Sequence, residues 1–422
     1  MIKRESYMRR IRDFIDKDVI KIMTGIRRSG KSVMLQLIQE ELFGRGVSQE
    51  RVMALNFEDA DIAPLRDVAA LHGYIKKRIG KTSSRTYLFF DEIQEVVGWE
   101  RCVNSLRVKF DVDIYVTGSN ANLLSKEYAT YLGGRYVSFV IYPFSFSEFV
   151  EMRSGMTEGL DYPHGYPYDY SLSRQDLVTR SFGEYVQFGG MPFLANLGYK
   201  PEPSNQYLKD LYSSVVLKDI VKRNNVRNVD LLERIISYVL SGIGRTFSAR
   251  SISNYFKSEG RNVPTETVLG YLKYCEDAFL LYKVSRNDLK GKKILTVNQK
   301  YYAADHGLCG AIIGSAKPDI ELVLENIVYL ELAHRGYGVT VGKFGDLEVD
   351  FIAVRGAETL YVQVAYLLAT PDVVTREFRV LELIKDNFPK YVVSADEFDR
   401  SQNGIIHQNI RTFLLAGRRF EG

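Results

Sequence analysis

Short apolar runs alternate with longer amphipathic segments over the first 145 residues. Apolar runs that are followed by segments of helical periodicity are typical of buried parallel strands joined by helices. The pattern therefore predicts an α/β domain with a parallel sheet over residues 1–145. The runs that predict its strands are VIKIM from Val19, YLFF from Tyr87, VDIYV from Val112 and YVSFVIY from Tyr136.

The periodicity changes after residue 145. Helical spacing dominates residues 146–228 and predicts a helical lid, interrupted by a surface loop rich in Tyr, Pro, Gly and Asp at 153–173. Ser248 to Phe256 and Thr265 to Cys275 have the proportions of a helix-turn-helix within residues 229–286. Residues 287–422 alternate helix and strand. The chain is thus predicted to carry four domains: 1–145, 146–228, 229–286 and 287–422.

Composition narrows the class of protein. The 422 residues are 45% apolar and 26% charged, as in soluble globular proteins. The net charge of +4 is compatible with nucleic acid but too small to indicate it alone. Three widely spaced cysteines predict neither disulfides nor a zinc site. A charged N-terminus without an apolar signal core, and the lack of a long apolar run, predict a cytoplasmic protein without a membrane segment.

A phosphate-binding loop is predicted directly after the first strand. Residues 25–32 fit the pattern G-x-x-x-x-G-K-[ST], between a strand and a helix as the pattern requires. Glycines let backbone N–H groups surround phosphate oxygens, Lys31 reaches the β- and γ-phosphates, and Ser32 binds Mg²⁺. The predicted cofactors are therefore ATP and Mg²⁺. The predicted nucleotide-binding residues are Gly25, Ile26, Arg27, Arg28, Ser29, Gly30, Lys31 and Ser32, although the roles of Arg27 and Arg28 stay open.

Two acids end the second predicted strand, RTYLFFDE. Asp91 is predicted to act through Mg²⁺, and Glu92 to polarise the attacking water. A third strand leads to Asn120, which is favoured over Ser119 as a contact of the γ-phosphate or the water. Capping of a helix is the structural alternative for these two residues.

An arginine precedes the last predicted strand of the first domain. The Arg135 guanidinium is predicted to stabilise transferred charge at the γ-phosphate of a neighbouring subunit, which requires a homo-oligomer. The alternative is a surface arginine.

The order of these motifs resembles that of AAA+ ATPases. TGIRRSGKS, FFDEIQ, VTGSN and GRYVSFVIYPFSFSEF resemble one bacterial and archaeal family in particular, whose members carry a C-terminal region labelled DUF4143. The resemblance implies a P-loop AAA+ domain with a helical lid, a winged helix and a small α/β restriction-endonuclease-like domain. It also implies that Pro192 closes over the adenine. The alternative is a helix end followed by a proline.

The resemblance extends to a nuclease-like constellation. Glu325 on a helix, Asp350 in a strand and Gln363 in the next strand match the metal-binding positions of PD-(D/E)xK nucleases. The position of the lysine is occupied by Ala365. Without that amine the domain is predicted to be catalytically degenerate.

These observations predict a Mg²⁺-dependent ATPase whose nucleotide state controls engagement of duplex DNA. The first residues of the predicted recognition helix include Glu266, and that helix is not basic. A nucleotide-driven switch that docks proteins is therefore one alternative. An active metal-dependent nuclease is the other.

Overall fold

The computed structural model describes residues 2–79, 84–124, 134–158, 174–289, 291, 293–314 and 319–416. The chain divides into two compact units. The first comprises Met1–Tyr142 with Asp277–Phe279, and the second comprises Pro143–Glu276 with Leu280–Gly422. Residues 159–173 of the predicted tyrosine-rich loop lie outside the described residues.

A five-stranded sheet forms the centre of the first unit. All of its neighbouring strands are parallel, and their order is β2-β3-β4-β1-β5. The prediction of a parallel α/β sheet is therefore confirmed. The strands are β1 (Ile20–Thr24), β2 (Val52–Asn56), β3 (Thr86–Asp91), β4 (Val112–Gly118) and β5 (Tyr136–Val140).

Helices bury both faces of this sheet. Alternate residues of each strand point to opposite faces, so Ile22 and Met23 belong to different hydrophobic cores. One core includes residues of α3 and α4, and the other includes residues of α1 and α2. The four helices are α1 (Glu5–Arg12), α2 (Lys31–Gly44), α3 (Val68–Ile79) and α4 (Trp99–Lys109).

One ion pair is fully buried in this sheet. Lys21 of β1 pairs with Asp113 of β4, and both side chains are almost completely excluded from solvent. Lys21 also donates to the carbonyl oxygen of Lys17 at 3.0 Å, and the Tyr115 hydroxyl donates to Asp113 at 2.8 Å. These bonds satisfy both charges, as burial of an ion pair requires.

The second unit begins with helices. Phe188 ends α6, and a 3₁₀-helix, Pro192–Leu197, follows it. A π-helical segment, Val215–Lys222, continues directly from α7. The helices of this region are α5 (Phe146–Glu158), α6 (Arg174–Phe188) and α7 (Pro201–Ser214).

The next six elements follow one another in the order helix, strand, helix, helix, strand, strand. The long last strand pairs antiparallel with both earlier strands. The last of these strands lies beyond residue 286, the predicted end of the winged helix, and the winged helix stays a prediction. The elements are α8 (Val229–Leu240), β6 (Thr246–Phe247), α9 (Ala249–Ser258), α10 (Thr265–Asp277), β7 (Leu281–Asp288) and β8 (Lys293–Ala303).

The remaining strands extend the same sheet to eight strands. Its order is β13-β12-β11-β10-β9-β7-β8-β6, and Ala365 lies in the hydrophobic core beside it. The remaining elements are α11 (His306–Ile313), α12 (Ile320–His334), β9 (Gly338–Phe344), β10 (Leu347–Arg355), β11 (Glu358–Val364), α13 (Pro371–Leu383), β12 (Lys390–Ser394), β13 (Ile406–Asn409) and α14 (Ile410–Leu415).

None of the helices within the described residues combines the length and the apolar character that crossing a membrane would need.

Candidate active site

The loop between β1 and α2 has the backbone conformation that the phosphate-loop pattern predicts. Gly25 and Gly30 have φ angles of +141° and +101°, in the range that favours glycine. A Cβ atom at Gly25 would lie 2.3 Å from the carbonyl oxygen of Ile141. Gly25 is therefore required by close packing as well as by the turn.

Two buried hydroxyl groups at this loop fit a polar ligand. Thr24 Oγ1, at the end of β1, and Ser29 Oγ, within the loop, are buried and have no hydrogen-bond partner among the residues that the structure describes. A buried polar group without a partner costs about 1–3 kcal/mol. The positive end of the α2 dipole lies at the same place. These features suit a bound phosphate chain.

Lys31, the first residue of α2, lies against the loop. Its Nζ atom donates to the carbonyl oxygens of Gly25 and Ile26, both at 3.1 Å. The same atom is 3.9 Å from Glu92 Oε1. The structure therefore brings together two residues that the sequence predicted to serve one nucleotide.

Asp91 and Ser32 form the predicted magnesium pair. Burial raises the pKa of Asp91, while hydrogen bonds from Thr117 and Ser32 oppose that rise. Mg²⁺ is commonly held by one or two carboxylates, substrate phosphates and water. Ser32 is exposed, so a hydroxyl and a carboxylate are available for such a site.

Thr117 of β4 connects both acids. Its hydroxyl donates to Asp91 Oδ1 and accepts the backbone N–H of Glu92 at 3.0 Å. Glu92 has a φ of +53°, an unfavourable conformation for a residue with a side chain. Gln94 donates to Glu92 Oε2 at 2.5 Å. Thr117 and Gln94 therefore fix the position of the predicted base.

Asn120 and Ser119 are both buried just beyond the end of β4. The carbonyl oxygen of Asn120 accepts the N–H of Leu123 at 3.3 Å, at the start of a 3₁₀-helix, Ala121–Leu124. This places Asn120 at the carboxyl edge of the sheet, where ligands bind in α/β proteins. Its catalytic role stays a prediction.

The loop arginines differ from each other. Arg27 pairs with Glu58 at 3.1 Å. Arg28 is exposed and has a φ of +64°.

Arg4, which the sequence did not single out, supports the loop. Its buried guanidinium donates to the carbonyl oxygens of Ser29 and Tyr142, both at 2.9 Å.

Arg135 lies at the opposite edge of the sheet. It precedes β5, and its carbonyl oxygen accepts the N–H of Ile20, the first residue of β1. The phosphate loop follows the last residue of β1, about 15 Å away along a strand of this length. Exposed Arg135 is therefore separated from the loop of its own chain, and its action on a neighbouring subunit stays a prediction.

Pro192 lies in the second unit and begins a 3₁₀-helix. Contacts within the second unit explain why glycines precede Pro192. Gly189 has a φ of +80° directly after α6, and the N–H of Gly190 donates to buried Asp305 at 2.7 Å. A Cβ atom at Gly190 would lie 2.3 Å from the carbonyl oxygen of Phe144. A glycine helix end therefore accounts for these residues, and adenine contact by Pro192 stays a prediction.

The comparisons with known proteins agree with the geometry of this site. Residues 17–150 match the AAA domain family, and residues 179–319 match a domain of unknown function, DUF8612. The fold, the loop and the first match together define an ATPase domain of the AAA+ class. The second matched family is DUF8612 and not DUF4143, so the assignment of this region to DUF4143 stays a prediction.

One relative is similar enough over its length to place the chain in a family. It is 38% identical over 403 residues to an uncharacterized protein of Haemophilus influenzae, and the match covers 95% of each chain. The chain therefore belongs to the family of that protein. It is also 28% identical over 353 residues to an uncharacterized protein of Methanocaldococcus jannaschii, a match that covers 83% of this chain and 75% of the other.

A solved structure shares the fold. A Walker-type ATPase of Pyrococcus abyssi superposes with a TM-score of 0.50 and 15% identity, covering 73% of this chain and 95% of the other.

Proposed function

We propose that this protein is a Mg²⁺-dependent ATP hydrolase of the AAA+ class that works as a homo-oligomer. Its nucleotide state controls the engagement of duplex DNA by its winged-helix and nuclease-like parts. The observation that carries the proposal is the meeting of two sequence motifs at one edge of the sheet, where Lys31 and Glu92 approach to 3.9 Å.

Each residue at this edge has a chemical task. Lys31 neutralises charge on the β- and γ-phosphates. Ser32 and Asp91 hold Mg²⁺, which when bound neutralises further charge on the phosphate oxygens. Glu92 orients the attacking water and accepts its proton. Thr117 holds both acids in position, as its bonds to them indicate.

The link to DNA rests on the order of elements from α8 to β8, which suits a winged helix. Exposed basic residues lie near its helices, among them Arg250 and Lys257 of α9. Proteins that bind the DNA backbone through such residues lose affinity steeply as salt rises.

One observation favours the alternative of protein docking. The predicted recognition helix α10 exposes Glu266, and its Leu269 is 51% exposed. An acidic residue repels phosphate, which disfavours contact of this helix with the DNA backbone, and a single exposed leucine adds no contact to DNA. In this reading the nucleotide cycle controls a protein partner and needs no DNA.

The experiment that separates the two readings is steady-state ATP turnover with and without duplex DNA. We expect Glu92→Gln to retain ATP binding and to lose turnover by at least about 100-fold, the usual contribution of a general base. Glu95→Gln is the matched control, since exposed Glu95 lies in the same short helical turn. Lys31→Ala should weaken ATP binding itself.

DNA-stimulated turnover with a steep salt dependence would support the proposal. ATP turnover that duplex DNA does not change, together with a failure to bind DNA at any salt concentration, would favour protein docking. Wild-type turnover in Glu92→Gln would contradict the assignment of the base.

A further inference from the structure

A buried lysine lies among the acids of the predicted nuclease-like centre. Lys300 of β8 places its Nζ atom 2.9 Å from Glu325 Oε1 and 2.8 Å from Glu348 Oε1. Asp350 Oδ1 is 3.7 Å from the same atom. Lys300 is only 4% exposed. An ammonium group thus already contacts three carboxylates that could otherwise surround a cation.

Further oxygens of these acids are bonded to the protein. Glu325 Oε1 also accepts from the Tyr302 hydroxyl at 2.6 Å, and Glu348 Oε2 accepts from Arg286 at 2.9 Å. The backbone N–H of Val364 donates to Asp350 Oδ2 at 2.9 Å. A metal ion would have to compete with these donors for the oxygen lone pairs.

Gln363, the third predicted metal ligand, is also hydrogen-bonded to the protein. Its Oε1 atom accepts the backbone N–H of Asp350 at 3.2 Å, and its Nε2 atom donates to Glu377 at 3.0 Å. The backbone donor fixes which end of the amide faces Asp350, because only the oxygen accepts. Its amide oxygen is therefore already bonded.

Lys300 offsets part of the negative charge of this centre without a metal. The Lys300 amine lies within 3.7 Å of Glu325, Glu348 and Asp350, the distance at which opposite charges attract strongly in a buried site. Conversely, removal of the lysine would leave buried carboxylates facing one another, which is costly unless another cation replaces it.

We propose that Lys300 is the permanent cation of this carboxylate cluster and takes the place of the divalent metal that the nuclease resemblance implies. Lys300 contacts the carboxylates at the predicted metal-binding positions and so holds the place of a cation there. The cluster instead joins β8 to α12 and β10.

Binding of Mn²⁺ tests this inference directly. Bound Mn²⁺ is measured by electron paramagnetic resonance on the full chain without nucleotide, in an Asp91→Asn background that removes the proposed magnesium ligand of the ATPase site. Lys300→Met removes the charge and keeps an unbranched side chain. Lys283→Met is the matched control, since Lys283 is an exposed lysine on the neighbouring strand β7.

We expect no saturable Mn²⁺ binding to the parent protein or to Lys283→Met. We expect one bound Mn²⁺ and a raised melting temperature with Mn²⁺ in Lys300→Met, both lost on adding Asp350→Asn. Binding by the parent protein that Asp350→Asn abolishes would overturn the inference, as would a folded Lys300→Met protein that binds no Mn²⁺. If Lys300→Met does not fold, the comparison of the parent with Asp350→Asn still decides. Mn²⁺-dependent DNA cleavage lost on Asp350→Ala would establish an active nuclease and also overturn it.

Discussion

Replacing Thr117 by valine should separate the positioning of the catalytic acids from nucleotide binding. Valine has nearly the shape of threonine and suits a strand, so the change removes little except the hydroxyl. That hydroxyl donates to Asp91 and accepts the N–H of Glu92 at 3.0 Å, and it is fully buried. Its loss leaves a charged acceptor and a backbone donor each without one partner.

The size of the effect follows from these two bonds. A hydrogen bond to a charged group contributes about 1.5–3 kcal/mol, and a buried donor left without a partner costs about 1–3 kcal/mol. Since both groups lose a partner, we expect the free energy of unfolding to fall by about 2.5–6 kcal/mol. If only the energy of the bond to Asp91, about 1.5–3 kcal/mol, is lost from the transition state, turnover falls about 10- to 150-fold. The bond from Thr117 also opposes the raised pKa of Asp91, so the variant should need more Mg²⁺ at lower pH.

The assay is ATP turnover as a function of Mg²⁺ concentration, combined with urea unfolding and a direct measurement of ATP affinity. Thr117→Ser is the control because it keeps the hydroxyl. We expect ATP affinity within a few-fold of wild type in both variants, and near-normal turnover only in Thr117→Ser. A Thr117→Val protein with wild-type turnover and Mg²⁺ dependence would refute the positioning role.

Three further predictions concern other parts of the chain. Arg135→Ala should lower turnover without preventing ATP binding. Wild-type turnover in this variant would contradict the action of Arg135 on a neighbouring subunit. Asp113→Asn should lower the free energy of unfolding by about 3–5 kcal/mol in urea denaturation, because it leaves buried Lys21 without its counter-charge; a loss below about 1 kcal/mol would contradict this. Burial lowers the pKa of His407, although Asp396 and Asp399 oppose the change, and the imidazole accepts the N–H of Arg400 at 3.2 Å. The unfolded chain therefore binds the proton more readily, so stability falls as pH drops below about 6.5. His407→Gln should show a shallower loss between pH 7 and pH 5, and equal slopes would disprove the assignment.

The phosphate loop and the acid-tipped strand were predictable because their signals are local. The glycines, Lys31 and Ser32 fall within eight consecutive residues, and the apolar run before Asp91 indicates a buried strand. The rule that ligands bind at the carboxyl edge of parallel strands then brings the motifs together. No other part of the site had such a compact pattern.

Thr117 and Arg4 were missed because their roles depend on distant partners. Thr117 is 26 residues from Asp91, and Arg4 is 25 residues from Ser29. A threonine in a strand and an arginine near a helix start are ordinary in sequence. Only the pairing of β3 with β4 turns the Thr117 hydroxyl towards both acids. That pairing cannot be read from a single motif.

The predicted nuclease-like centre shows why a departure from a motif has to be judged from the three-dimensional structure. From the sequence, Ala365 indicates a site without its lysine. In the structure, Ala365 is part of the hydrophobic core, whereas Lys300 approaches the acids from a different strand. Glu325, Glu348 and Asp350 surround the Lys300 amine, which offsets part of their charge. The absence of a lysine at one position therefore leaves open whether the acids bind a metal, and the residue that contacts their oxygens decides it.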